Sequence, residues 1–460
     1  MRRSPTLPWW KKIWGPDGFP GAESVEALRT GRRVSANTLW LLLSRFGAQG
    51  LMVVFTLVIA RRLGESGLGA YAWMGAVIVL GNVLTTAGSD VVLIRQIAGE
   101  KDMSLLPAGL FTQLFFSALF AAGVYLAAPY LPNTSPEAAM ALRLYSLALF
   151  PMAFYSVCSA ALRGVERMDA FLWLSLAGSL LPAGLAWALI QPGSSLTFLA
   201  GLLVISQVVV ALLAGWFCRL WVPGFGDGWT LSRTAVHTLL YLSLPVALLG
   251  VLKILYQRSG IFLVTALAGE AATGQFSAAL KLVEVLQAGH IAALGALFPM
   301  MARSYRHEEG EASPADAVIT LSGWLLAGLG VLLAGILFVL APRLVTILYG
   351  EAFSTAVSVT RLLAWMLIPY SVNIYISSLM LSAHQESEIA RALLGSLLVF
   401  IALSIWWIPL WGVRGAALAA LVAEGVQAWM YIHLWGSWMK TAGAGIHPGR
   451  RVKEQVRRTQ

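Results

Sequence analysis

The chain has 460 residues, of which 58% are hydrophobic and 12% charged, with a mean hydropathy of +0.74. Soluble domains carry roughly 25% charged residues, so this composition excludes a soluble enzyme, a disordered chain and a fibrous repeat. The net charge of +10 would suit nucleic acid in another setting. In so apolar a chain it is better explained by basic residues held on the cytoplasmic side of a membrane, and no nucleic-acid partner is expected.

Apolar runs punctuated by Gly, Pro and charged clusters predict twelve helices, near 37–60, 71–91, 105–128, 138–162, 171–191, 196–218, 239–267, 273–301, 317–341, 356–383, 390–409 and 415–438. Runs of this length cross ~30 Å of hydrocarbon. They are continuous rather than alternating, which excludes an outer-membrane barrel. The first begins too late to be a cleaved signal peptide. A basic, aromatic tail (1–36) carries Trp9, Trp10, Lys11, Lys12 and Trp14, suited to lipid headgroups. Six-helix bundles are expected at 37–218 and 239–438, a cytoplasmic linker at 219–238 and a basic tail at 439–460. With both termini cytoplasmic, 22 of the 32 basic residues fall in the tails and inner loops, as the positive-inside bias requires.

The predicted loops leave no room for a soluble catalytic domain, so the chain is not expected to be an enzyme. Cys158 and Cys218 lie in apolar runs without metal-ligand or disulfide spacing. No Gly-x-x-x-x-Gly-Lys-Ser/Thr motif occurs, and neither a cofactor nor a metal is expected.

An internal repeat organises the spans. Gly64-Glu65, Gly69 and Tyr71 recur as Gly269-Glu270, Gly274 and Phe276 at an offset of 205. Arg143-Leu144 and Pro151 recur as Arg361-Leu362 and Pro369 at an offset of 218. Six spans per half is an even number, so both halves enter the membrane from the same side, related by an axis along the membrane normal. The expected fold is therefore an all-α integral membrane protein, about twelve helices in two pseudo-symmetric bundles around a central cavity. Pro151, Pro182, Pro245, Pro299 and Pro369 inside spans each remove a backbone hydrogen bond and permit a kink.

Ionisable groups at bilayer depth are costly, roughly 2.5–3.5 kcal/mol each, unless they face protein or water. Arg45 and Gln49 lie on span 1, and Lys253, Gln257 and Arg258 on span 7. Span 8 carries Lys281, Glu284 and His290, span 12 Glu424, and Asp90 closes span 2. Two readings stand for several of them. Lys281 and Glu284, three residues apart, either pair with each other or serve the cavity. Glu424 either pairs with a cation such as Lys253 or couples an ion. Asp90 is either an interfacial neighbour of Arg95 or a coupling group, and Arg143 and Arg361 are expected at the outer headgroups. Cations on the first helix of each half would face one another across the cleft, and guanidinium groups suit phosphate.

The phrases Ala60-Arg-Arg-Leu-Gly64 to Gly69-Ala-Tyr-Ala72, Ala268-Gly-Glu270 to Gly274-Gln-Phe-Ser-Ala-Ala-Leu-Lys-Leu-Val-Glu284, and Phe298-Pro299 carry a resemblance. Over most of 37–438 the chain resembles the polysaccharide exporters and lipid-linked oligosaccharide flippases of the multidrug/oligosaccharidyl-lipid/polysaccharide flippase superfamily. The resemblance implies a V-shaped transporter of the bacterial inner membrane that flips undecaprenyl-diphosphate-linked O-antigen, capsule or exopolysaccharide units by alternating access. An ion gradient, of sodium or protons, or the membrane potential is the expected energy source, with Glu284, Glu424 and Asp90 as candidate coupling groups. Arg45, Gln49, Lys253, Gln257, Arg258 and Lys281 are the candidate substrate contacts. Membrane lipids, a glycan polymerase and chain-length machinery are the implied partners. A drug/cation antiporter of the same superfamily is the alternative, followed by a membrane-embedded glycan polymerase.

Overall fold

In the computed structural model the backbone is described for residues 22–226, 229–304, 314–383 and 385–443. Within these segments, side chains are described for Trp40 and from Phe46 onward, except 292, 295–320 and 440–443. All regular structure among the described residues is helical. The first half contains α1 (Ala22–Thr86), α2 (Ser89–Glu100), α3 (Leu106–Ala127), α4 (Pro136–Ser146), α5 (Leu149–Gly164), α6 (Met168–Leu189) and α7 (Leu196–Trp221). The second contains α8 (Arg233–Ser304), α9 (Pro314–Tyr349), α10 (Ser354–Ala364), α11 (Leu367–Ser382), α12 (Glu386–Trp411) and α13 (Val413–Gly443).

The longest helices cannot be straight. The 65 residues of α1 would run on the order of 100 Å at 1.5 Å per residue, about three times the hydrocarbon thickness. The chain turns at Gly64 (φ 71°, ψ −167°), a conformation that suits a residue without a Cβ. Phe55 and Tyr71 then meet edge to face at 5.2 Å, so the two limbs run back along each other. In α8 the corner is Gly269 (φ 85°, ψ −178°). Thr265 and Thr273 share a 2.8 Å hydrogen bond across it, and Gly260 lies against the Phe276 ring.

Nine described helices are long and apolar enough to cross a membrane, and the α10–α11 pair, bent by 45°, makes a tenth candidate. Two of the nine are the folded α1 and α8, so counting limbs gives the twelve spans expected. The helices outrun the apolar segments. α1 starts at Ala22, inside the stretch read as a tail, α13 continues to Gly443, and the join between halves shortens to 222–232. A helix satisfies its own backbone and can extend past the hydrocarbon edge, whereas hydropathy registers the apolar part.

The repeat is structural. Breaks separate α4 from α5 at Leu147–Ala148 and α10 from α11 at Trp365–Met366, at the same offset of 218 as Arg143 and Arg361. Arg143 Nε donates to Tyr125 O at 3.0 Å with its guanidinium 4.6 Å from that residue's ring. Arg361 Nε donates to Phe338 O at 3.4 Å and lies 5.3 Å from the Phe338 ring. Each uses a carbonyl and an aromatic face of the preceding span. Buried alanines such as Ala138, Ala141, Ala416 and Ala417 let backbones approach closely, the kind of packing that holds helices together in lipid.

The end of the bundle bearing Gly64 and Gly269 is closed by contacts between the halves. A Cβ on Gly69 would overlap the backbone carbonyl of Glu270, and one on Gly274 that of Glu65. Around this crossing Gln275 donates to Glu65, Ser135 N donates to Glu270 Oε1 at 2.8 Å, and Asn133 Nδ2 donates to Ala266 O at 2.7 Å. Arg61 donates to the carbonyls of Ile347 and Leu348 at the end of α9, and Arg62 to those of Trp187 and Ile190 at the end of α6. Guanidinium groups suit these sites, because the last carbonyls of a helix lack internal partners.

Gly69→Ala and Gly274→Ala are therefore expected to spread the halves at this end. Spin labels on Tyr130→Cys and Glu351→Cys, both at exposed positions, should report longer distances in either variant. Gly75→Ala, which meets nothing within 4 Å, should leave the distances unchanged, and the native cysteines are fully buried and will not take the label.

Candidate transport cleft

A cavity of about 550 Å³ opens among α1, α2, α5, α6, α7 and the first limb of α8. Val246, Ala247 and Gly250 form its α8 wall, and its polar lining includes Asn82, Asp90, Tyr155, Ser159, Arg163 and Gln207. The break between α1 and α2 positions Asp90. Ala87 (φ 46°) and Gly88 (φ 70°) are both left-handed, and a Cβ on Gly88 would lie 2.9 Å from Ala247 N. The break thus rests directly on α8. Asp90 was read as a neighbour of Arg95 or a coupling group; it shares this cavity with Arg163.

The α8 wall continues as a stripe. Positions 246, 250, 253 and 257 are spaced four, three and four residues apart, one face of a helix. Lys253 and Gln257 are both exposed along that face, beyond Gly250. Arg258 lies off the stripe and turns to the second limb of its own helix. The corner at Gly269 brings Lys281 and Glu284 back beside it: Arg258 Nη1 is 3.6 Å from Glu284 Oε1, and Lys281 Nζ is 2.9 Å from Glu284 Oε2. Two cations share one carboxylate, so the group keeps an excess positive charge. Arg258 Nε and the Tyr349 hydroxyl are buried without hydrogen-bond partners. Arg258 was read as a cavity cation or as serving a neighbouring contact, and Glu284 as a partner of Lys281 or a coupling carboxylate; the fold places Glu284 between Arg258 and Lys281.

Glu424 forms a separate centre. It is 5% exposed and accepts from Tyr256 Oη at 2.6 Å and Asn373 Nδ2 at 2.9 Å, so α8, α11 and α13 converge on it. Neither Lys253 nor any other described cation pairs with it. A buried carboxylate held by neutral donors alone is a candidate for a bound proton or cation. Nearby on α8, buried His290 uses Nδ1 on Leu286 O at 3.2 Å and meets the Tyr370 ring edge-on. Gln49 is half-buried on α1, while the Arg45 side chain lies outside the described residues. Cys158 and Cys218 are free, and the Cys218 thiol donates to Cys158 O at 3.4 Å.

Sequence reading missed Tyr256, Asn373, Arg163, Asn82 and Gln207. Tyr256 and Asn373 are ordinary span residues until three distant helices are packed together.

These features define an all-helical, polytopic membrane protein whose described spans fall in two repeated halves. The family model described as polysaccharide biosynthesis protein matches residues 34–305, and the chain belongs to that family. No curated protein matches it. Solved structures share the fold. A multidrug resistance MATE family transporter of the MOP superfamily, inward-facing, has 16% identity and a TM-score of 0.65, with 86% of this chain and 95% of that one covered. The lipid II flippase MurJ, in an inward closed conformation, has 12% identity and a TM-score of 0.69, covering 87% of each chain. A MOP superfamily transporter from Pyrococcus furiosus, described by the reverse polarity of its binding pocket, has 16% identity and a TM-score of 0.61 over 89% of this chain and 97% of that one. The chain is thus a multi-pass membrane protein with the fold of these transporters.

Tyr256→Phe should cost about 1–3 kcal/mol by stripping a donor from the buried carboxylate, measured as a lower unfolding temperature of the purified protein. Glu424→Gln should cost less, because Asn373, whose Oδ1 has no partner, can turn its amide to match.

Proposed function

We propose that the protein flips a polyprenyl-diphosphate-linked oligosaccharide, an O-antigen, capsule or exopolysaccharide unit, across the bacterial cytoplasmic membrane. Both termini lie in the cytoplasm, the closed end faces the periplasm, and the bundles 37–218 and 239–438 rock about the cleft. The observation that carries this reading is the exposed Lys253 on the α8 stripe, one turn beyond the cavity wall, with no ion-pair partner among the described residues. The excess cation of the Arg258–Glu284–Lys281 group reinforces it.

The diphosphate enters from the cytoplasmic side and meets the Lys253 ammonium, while its polyprenyl tail stays in lipid between the bundles. A charge-assisted hydrogen bond in so poorly hydrated a setting is stronger than its neutral counterpart. Arg258, with Nε unused and one shared carboxylate, supplies further donors. Arg45 and Gln49 on α1 complete the cationic cleft from the other half. Parting the glycine crossing at Gly69 and Gly274 then opens the cleft to the periplasm, where a glycan polymerase takes up the unit. Glu424, between three helices of the second half, binds the coupling proton or sodium ion. A drug/cation antiporter would instead place unpaired carboxylates on the cavity stripe, where Lys253 stands.

Complementation of a flippase-deficient strain that makes the cognate glycan tests the assignment. Lys253→Ala should reduce export about tenfold or more at normal membrane abundance, the size expected for one lost charge-assisted hydrogen bond of ~1.5 kcal/mol. Lys253→Arg should restore much of it. Wild-type export by a Lys253→Ala/Arg258→Ala double variant would overturn the reading.

A further inference from the structure

We propose that the 550 Å³ cavity of the first half is a saccharide subsite that holds the first sugar of the headgroup while the diphosphate sits at Lys253. The inference rests on the headgroup assignment above and adds to it the groups that select cargo.

Its size is the first reason. The volume is far beyond a single ion and falls within the ~300–1,000 Å³ typical of small-molecule pockets. Its chemistry is the second. Asp90 and Arg163 both line it, yet no ion pair joins them among the described residues. Arg163 instead lies 5.3 Å from the Phe171 ring. A cavity with one charge of each sign favours neither a simple anion nor a simple cation. The side chains of Asn82, Asp90 and Gln207 make no hydrogen bond to another described residue, although they line an intramembrane cavity. These groups are half-buried and can reach water in the cavity, and a sugar, whose several hydroxyls both donate and accept, can take the place of that water. Asp90 accepts from hydroxyls, Arg163 donates to their oxygens, and Asn82 and Gln207 do either.

Position is the third reason. Gly250 on the cavity wall and Lys253 are three residues apart on α8, an advance of about 4.5 Å. The step from a phosphate to the sugar ring it esterifies is of similar size. The left-handed Ala87 next to Gly88 is also informative. A non-glycine residue in that region stores strain, and such residues cluster where a side chain has to be held for function. Here the strained turn sets Asp90.

The test uses the full-length purified protein and two kinds of probe: undecaprenyl diphosphate without sugar, and undecaprenyl diphosphate bearing a single glucose, galactose or N-acetylglucosamine. The wild type should bind at least one sugar-bearing lipid more tightly than the bare diphosphate. Asp90→Asn, Arg163→Gln and Asn82→Leu/Gln207→Leu should each remove about tenfold of that preference, equivalent to 1.4 kcal/mol, and leave bare-diphosphate affinity unchanged. Lys253→Ala should weaken all probes alike. Variants are compared only where their elution profile and unfolding temperature match the wild type. The subsite is overturned if the wild type shows no sugar preference, or if the cavity variants weaken both kinds of probe equally or neither. If Lys253→Ala leaves every affinity intact while the cavity variants still erase the preference, the headgroup assignment fails and the subsite stands.

Discussion

At Gly69 and Gly274 the two halves of the molecule touch backbone to backbone, and neither position has room for a side-chain carbon. Lipid tails are as apolar as the helices, so burial alone does not press spans together as it would in water. Close approach has to come from shape, and small residues supply it. Cross-half hydrogen bonds that involve Glu65, Asn133, Ser135 and Glu270 surround this point and require the halves to be within reach of one another. The cavity lies elsewhere in the bundle, against the first limb of α8, so one end is sealed while polar space persists within.

The membrane also disciplines the charges. Arg258, Lys281 and Glu284 neutralise one another in part, Glu424 is held by a phenol and an amide, and Arg143 and Arg361 use carbonyls and rings. Lys253 differs in having no acidic partner among the described residues while being exposed on the cavity stripe. Satisfying many charges internally while leaving Lys253 exposed on the stripe is a way to mark where a ligand of opposite sign belongs.

Much of this architecture was legible in the sequence because it is periodic. Hydropathy found the spans, and the offset of 205 found the two glycine corners, since a left-handed turn and a close crossing both demand glycine. The offset of 218 found the paired helix breaks beyond Arg143 and Arg361. The stripe through Lys253 and Gln257 could be read from helical spacing alone. The site's partners could not. Tyr256 and Glu424 are 168 residues apart, and Asn373 and Glu424 are 51 apart. Arg163 lies at the end of its span, and only the packing of α5 against α1, α2 and α7 turns it into a cavity wall. Arg61 and Arg62 are adjacent in sequence, yet their side chains go to opposite halves.

That divergence makes a mechanical joint of two consecutive residues. Arg62 clamps the chain to α6 in its own half, so it travels with α1 through any rigid-body swing. Arg61, one peptide further back, is moored to the tail of α9 in the other half. When the halves separate at this rim, the first mooring has to be cast off while the second holds. The stranded guanidinium and the bare carbonyls of Ile347 and Leu348 then must find water, so flooding of this rim and release of the lock are a single event.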